Sequence, residues 1–457
     1  MSVLPAIDRS RLPEPGALPS FSFPTIEKSV LPNGLSIWTV CHPSIPLVSL
    51  LLLMKRGAAD DPVGREGLAA ITLDMLDEGS GDRSSIDMHE ELARVGAQLE
   101  SDIGSDASLI GTTVLSRFAD RAIALLAEML ARPALREADF ARVRQLRLHR
   151  LTQLRDMPAA VADRTFASLL YGAHPYGHTP LGSETSLGVM HIDDVRAFHE
   201  SAMRPGDTTL VAVGDCTHDT IRRLAVEALG GWAGPRRPDP AFASELPRPA
   251  RLNVVPRPGA PQSELRIGHV AVPRNTPDYH ALVAANMVLG GQFVSRINLN
   301  LREDKGFTYG ARTSFDFRRY PGPFTLQVGV HTAATARAIQ ESLAEIDAIR
   351  GPRPVTPAEL AMGVAALTRG YARNFETAEQ VARAVSQLVL HDLPDDYFAT
   401  FVPAVERVTP EDVTRATERH LHPDRMTTLI VGDFEAIRAD LEGLGLGEPV
   451  VWSPTAV

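Results

Sequence analysis

Cysteine is nearly missing from this chain. Cys41 and Cys216 are the only two in 457 residues, far apart in sequence and each beside turn residues, so no disulfide framework or cysteine metal site is indicated. Lysine is almost as scarce. Lys28, Lys55 and Lys305 are the whole complement, so positive charge is carried nearly entirely by arginine, which reads as genome composition rather than function. An excess of positive charge is absent as well, the formal net charge being -10, and this argues against nucleic acid or an anionic membrane as the main partner. No stretch approaches a membrane-spanning apolar run. The first twenty residues hold four prolines and no continuous apolar core, unlike a signal peptide, and the expectation is a cytoplasmic protein.

What is present is ordinary soluble composition, 44% hydrophobic and 22% charged. The length exceeds one ordinary core, which predicts two or more domains. Residues 1–23 read as a proline-rich arm. Leu35 to Val40 and Leu47 to Met54 are predicted strands, the second so apolar that both its faces should be covered. Glu66 to Glu78 is a predicted helix with Leu68, Ile71, Met75 and Leu76 on its core face. Arg117 to Leu130 is a second helix. A third carries Phe140, Val143, Leu146, Leu151 and Leu154 and ends before Pro158, its arginines from Arg142 to Arg155 forming a solvated face. Trp232 to Arg251, with five prolines and no helical period, reads as a stiff linker between domains at 24–231 and 252–457. Beyond it come strands at Glu264 to Val272, Thr308 to Phe317 and Phe324 to Val330, and helices at Tyr279 to Leu289, Ala336 to Ile349, Pro357 to Tyr371 and Ala378 to Leu388.

The two halves align with each other. Asp194 to Asp215 reads DVRAFHESAMRPGDTTLVAVGD and Asp412 to Asp433 reads DVTRATERHLHPDRMTTLIVGD, at an ungapped offset of 433 minus 215, or 218. Each copy is a helix, a proline turn and a buried strand ending in Gly-Asp, so the fold class is α+β with two copies of one domain.

Leu301 to Gly310 places an arginine and a tyrosine seven residues apart across a helix end. Phe293, Val294, Ile297 and Leu301 recur at helical spacing, and Lys305-Gly306 stops the helix. Phe307, Tyr309, Ala311 and Thr313 alternate as a strand would, which puts Tyr309 on that strand. The guanidinium of Arg302 and the phenol of Tyr309 form a donor pair suited to a peptide carbonyl or its developing oxyanion. The plainer alternative is that Arg302 offsets the helix dipole and Tyr309 packs in a core.

Several motifs in order resemble the pitrilysin/insulinase peptidases, the inverted zincins that include mitochondrial processing peptidases and respiratory-complex core proteins. They are Gly67-Leu68-Ala69 with Met75-Leu76, His174-Pro175-Tyr176-Gly177 with Leu181-Gly182, Arg204-Pro205 with Val213-Gly214-Asp215, Ser295-Arg296, and Leu301-Arg302-Glu303 with Lys305-Gly306 and Tyr309. The resemblance implies two homologous α+β domains of the processing-peptidase type, forming half of a clam shell that closes around an extended peptide. It also implies an H-x-x-E-H zinc motif on the first helix. Ala70, Leu73 and Asp74 stand there instead, and the distal glutamate ligand aligns with Gln145. Among the histidines, His174 and His178 fall in a turn, His89 and His199 lack a second histidine at ligand spacing, and His420 and His422 flank a helix end. The edge strand that pairs with peptide in the family, G-x-x-x-N-A, reads here as Gly96 followed by Glu100 and Ser101. Arg302 and Tyr309 match the family's second-domain arginine and tyrosine.

The resemblance therefore implies a non-zinc-binding subunit, inactive alone, with no metal on this chain. It would supply Arg302 and Tyr309 to a homologous zinc-bearing partner in a heterodimer, or to another copy of itself. The alternative is a structural or assembly protein of core-protein type without proteolysis. The third reading is a self-sufficient zinc peptidase.

Overall fold

The computed structural model describes residues 10, 22–238 and 246–453. Most of the arm expected over 1–23 and the middle of the 232–251 linker lie outside the described residues. The first half runs β1 (Glu27–Val30), β2 (Ser36–Cys41), β3 (Leu47–Met54), α1 (Leu68–Asp74), α2 (Ser85–Arg94), β4 (Glu100–Ile103), β5 (Ser108–Leu115), α3 (Ala119–Ala131), α4 (Glu137–Arg155), α5 (Pro158–Tyr171), α6 (Glu184–Gly188), α7 (Ile192–Ala202), β6 (Thr208–Gly214) and α8 (His218–Leu229). The second runs β7 (Leu252–Pro256), β8 (Gln262–Val270), α9 (Tyr279–Leu289), α10 (Arg296–Asn298) continuing as a π-helix at Leu299–Asp304, β9 (Ala311–Phe315), β10 (Pro323–His331), α11 (Thr335–Ala348), α12 (Pro357–Thr368), α13 (Ala378–Leu390), α14 (Tyr397–Glu406), α15 (Pro410–His420), β11 (Thr427–Gly432), α16 (Phe434–Leu441) and β12 (Val450–Val451).

The internal repeat becomes a repeat of topology. Strand order is β1-β2-β6-β3-β5-β4 in one sheet and β12-β7-β11-β8-β10-β9 in the other, so five strands correspond one for one. In each, the Gly-Asp strand is interior, parallel to one neighbour and antiparallel to the other. The aligned helices α7 and α15 precede those strands through proline-initiated single turns at Pro205–Asp207 and Pro423–Arg425. Helix starts follow local chemistry: Ser84 with Asp87, Thr356 with Glu359 and Thr409 with Asp412 form reciprocal caps.

Each half covers the other's sheet. β3 is buried on both faces because Val48, Leu50 and Leu52 meet α3 and α8, while Leu51 and Leu53 meet Val381, Val385 and Val389 of α13 from the second half. Reciprocally, Ala162, Phe166, Leu169 and Leu170 of α5 cover Val255, Leu429 and Val431 of the second sheet. Burying each of the valine, leucine and phenylalanine side chains stabilises the junction by about 1.5–3 kcal/mol. The helix at α5 has no counterpart among the sequence-predicted elements, although Pro158 at its first position and apolar residues at 162, 166, 169 and 170 carry the signal.

The His174-Pro175-Tyr176-Gly177 turn bonds across this junction. Asp106 accepts hydrogen bonds from the Tyr176 hydroxyl and from the Arg319 backbone N–H, the latter at 3.0 Å. Tyr171 Oη donates to the Pro321 carbonyl at 2.9 Å. The β9–β10 turn that supplies these groups closes tightly at Gly322, where a Cβ would lie 1.7 Å from the Asp316 carbonyl oxygen.

Candidate functional site

Helix α1 is seated by groups distant in sequence. It begins at Gly67, whose φ is +95°, and a Cβ there would sit 3.0 Å from Gly182 Cα and the Leu181 carbonyl oxygen. Gly67 has no side chain with which to cap the helix, and Asp61 caps it from outside. Its carboxylate accepts from the backbone N–H groups of Gly67 and Ala69, both at 2.6 Å, and its side chain is fully buried. His178 Nε2 lies 3.0 Å from the same carboxylate and 3.0 Å from the Ala58 carbonyl oxygen. Asp61 escaped sequence reasoning because its partners follow six and eight positions later, outside any capping spacing.

Ala70 and Leu73 are buried on α1, and Asp74 is half-exposed at its end. Asp74 Oδ2 accepts from Arg147 Nε of α4 at 2.7 Å. Arg147 is thus turned into the protein, a correction to the expected solvated arginine face. Gln145 is not brought to α1. It is exposed, and its Nε2 lies 2.9 Å from His149 Nε2 on the same helix, because the helical period that aims Arg147 at α1 turns Gln145 away.

A cleft of about 410 Å³ lies over this ion pair, lined by Asp74, Asp77, Glu78, Ser101, Arg147 and Arg150 among others. Burial pushes the Asp77 carboxyl up to about 6, the Glu78 and Asp74 carboxylates adding to the effect and His89 opposing it. Ser101 and Glu100 stand on β4, the outermost strand of the first sheet. Ser101 shares the cleft with Asp74, whereas Glu100 accepts from Arg383 Nη2 of α13 at 2.7 Å. A larger cavity of about 800 Å³ lies between the halves, beside Asp102, Arg318 and Arg383, and includes neither α1 nor Arg302.

Arg302 and Tyr309 lie on the second half, on either side of a chain reversal closed by Asn298. The buried Asn298 side chain donates from Nδ2 to the Ala311 carbonyl at 2.8 Å and accepts at Oδ1 from the Ala311 N–H at 2.8 Å, pairing with it as a neighbouring strand would. Tyr309 does not lie on the strand, which begins only at Ala311. Thr308 Oγ1 bonds both the N–H and the carbonyl of Gly310, closing a turn that takes Tyr309 out of the ladder and leaves it 94% exposed. Arg302 sits in the wide π-helical turn, its guanidinium 3.8 Å from the Phe293 ring centroid. Glu303 Oε1 is 2.7 Å from Arg302 Nη1, yet Nη1 makes no hydrogen bond among the described residues. Phe293, which Arg302 stacks on, and Val294 and Leu299 in the same stretch of chain are exposed apolar side chains.

Residues 37–183 match the family model described as insulinase (peptidase family M16), and residues 190–367 match the model described as peptidase M16 inactive domain. The chain belongs to the M16 peptidase family. It is 22% identical over 415 residues to a protein named an uncharacterized zinc protease of Mycobacterium tuberculosis, covering 90% of this chain and 94% of that one. It is also 22% identical over 418 residues to a similarly named protein of Streptomyces coelicolor, covering 90% of each. Two solved structures share the fold. One, described as a peptidase M16 inactive domain from Pseudomonas fluorescens, aligns with a TM-score of 0.81 at 22% identity over 89% of this chain and 98% of that chain. The other, a protease from Helicobacter pylori, aligns with a TM-score of 0.82 at 18% identity over 90% of this chain and 100% of that chain.

The M16 zinc motif does not fit the residues present. Ala70 and Leu73 offer no lone pair, Asp74 is committed to Arg147, and Gln145 faces elsewhere. The guanidinium of Arg147 also brings a fixed positive charge beside Asp74. Among the described residues no group of three or more His, Cys, Asp or Glu is placed to hold a metal ion, and no helix is long and apolar enough to cross a membrane.

Proposed function

We propose that this M16 chain is the non-hydrolytic member of a two-chain peptidase, donating Arg302 and Tyr309 to a peptide bound by a homologous partner that carries the zinc. The observation that carries the reading is the division of the chain. Its first half holds an Asp74–Arg147 ion pair at positions that we read as those of the family's metal donors, while its second half presents Tyr309 fully to solvent, seven residues after Arg302. Neither residue of the pair lines the α1–α4 cleft of its own chain.

The chemistry assigned to this chain is hydrogen-bond donation. Arg302 is permanently charged, is steadied by stacking on Phe293 and, with Nη1 buried against Glu303, keeps only part of its guanidinium exposed for donation. Tyr309 adds a neutral O–H donor whose backbone position is fixed through Asn298 and the Thr308–Gly310 turn. Two donors arriving from a rigid frame stabilise the oxygen of a peptide carbonyl as negative charge builds on it. Among the described residues the outermost strand β4 has an unpaired edge on which extended peptide can add by backbone pairing, and this requires no particular side chain at Glu100 or Ser101.

Reconstitution tests the proposal. Purified alone, the chain is expected to cleave no unstructured fluorogenic peptide; with a zinc-bearing M16 homologue it is expected to form a complex whose cleavage neither chain shows by itself. Chelator-sensitive cleavage by the isolated chain would overturn it. A stable complex that cleaves no faster than the partner alone would favour the assembly-protein reading.

A further inference from the structure

The only two cysteines, 216 minus 41 or 175 positions apart, converge at one end of the first sheet. The parallel register of β2 and β6 sets Cys41 beside Gly214. The backbone N–H groups of His42 and Cys216 both donate to the Gly214 carbonyl oxygen, at 2.8 and 2.9 Å. Gly214 has φ of +133°, and a Cβ there would lie 2.1 Å from the Leu47 carbonyl oxygen, so glycine alone permits the kink that turns Cys216 back toward the end of β2.

The two side chains also share a face. Along β2, Ile37, Thr39 and Cys41 alternate to the α8 side, where Ile37 joins the first core and Thr39 Oγ1 lies 2.7 Å from His218 Nδ1. Cys216 packs against that same core. Cys41 is exposed and Cys216 partly buried, and both are free thiols. Burial pushes the Cys216 thiol up to about 12, and Cys41 is close enough to add to the rise, as does Asp215.

We propose that Cys41 and Cys216 form a dithiol modification site that is oxidised by low-molecular-weight disulfides to an intramolecular bond. The order of events follows exposure. The Cys41 thiolate attacks one sulfur of the external disulfide, a sulfur–sulfur bond forms to Cys41, and the other reagent sulfur leaves as thiolate and takes up a proton. Cys216 then gives its proton to solvent and attacks the Cys41 sulfur, displacing the second reagent thiolate. Two protein thiols are oxidised and one external disulfide is reduced to two thiols. The product ties the end of β2 to the segment entering α8 and encloses β3 through β6 in the cross-linked loop, which raises the thermal midpoint of the first half.

Incubating the full native chain with oxidised glutathione, then measuring free thiols, intact mass and cross-linked peptides, tests this. The expected product has no free thiol, a mass lower by two hydrogens, no retained glutathione, a Cys41–Cys216 peptide and a raised midpoint. Cys216→Ala is expected to stop at one glutathione on Cys41, and Cys41→Ala to slow reaction at Cys216 at least tenfold. Wild-type protein that stops at one adduct, accepts two, or does not react would overturn the proposal.

Discussion

Replacing Asp61 tests how α1 is held. Asp61→Ala removes two short hydrogen bonds to the N–H groups of Gly67 and Ala69 and the contact with His178, all at a side chain with no exposure. A hydrogen bond to a charged group contributes about 1.5–3 kcal/mol, and the two N–H groups left behind are buried at a helix start that Gly67 cannot cap. The expected loss is about 3–5 kcal/mol, a large share of the ~5–15 kcal/mol by which domains are stable. Asp61→Asn keeps an acceptor and should lose about 1–2 kcal/mol. Urea unfolding followed by tryptophan fluorescence is suited to the measurement, because Trp232 packs against the core of the first half and Trp38 and Trp452 pack at the junction of the halves. The unfolding midpoint should move to lower urea. An Asp61→Ala midpoint within the equivalent of about 0.5 kcal/mol of wild type would refute the capping role.

Other perturbations have equally definite outcomes. Introducing Ala70→His, Leu73→Glu and Asp74→His together should give no stoichiometric zinc by mass spectrometry, and adding Arg147→Glu should raise zinc content, because Arg147 would otherwise leave its positive charge at the site. Tyr176→Phe should cost about 1–3 kcal/mol in urea unfolding by taking one donor from Asp106 at the junction of the halves. His269 and His391 are both lowered to about 4 by burial, so the unfolded chain binds more protons than the folded one between the unfolded value of 6.5 and about 4. Stability should therefore fall as pH drops through that window, by up to about 1.4 kcal/mol per pH unit for each histidine, and His391→Gln should reduce the slope of thermal midpoint against pH. Glu359 is lowered to about 2, chiefly by its hydrogen bonds from Arg296, so its contribution is present above 4.5 and disappears only as pH falls toward 2.

Legibility from sequence followed the range of the forces involved. β3 and α9 have the bounds that apolar pattern predicts, and the 218-residue offset exposed the duplication, because period and repetition are local properties of the chain. The cross-covering of the two sheets by α5 and α13 was not legible, since an apolar helix face does not say which half it meets. Tyr309 followed strand alternation in sequence, yet the Thr308 side chain and Asn298, thirteen residues before Ala311, end the strand at Ala311. That Gln145 faces away from α1 while Arg147 faces it was not legible either, because the inward face of α4 is set by what it packs against. The convergence of Cys41 and Cys216 depends on the β2–β6 pairing and the kink at Gly214, which spacing in the chain does not encode.

The central claim is that Tyr309 acts in a partner's site, and the most direct measurement is the single-turnover cleavage rate of the reconstituted pair carrying Tyr309→Phe, with complex formation checked by co-elution. The account predicts an intact complex whose rate falls by about 10²–10³-fold, the loss expected for one donor to a developing oxyanion. An intact complex cleaving at the wild-type rate would contradict it.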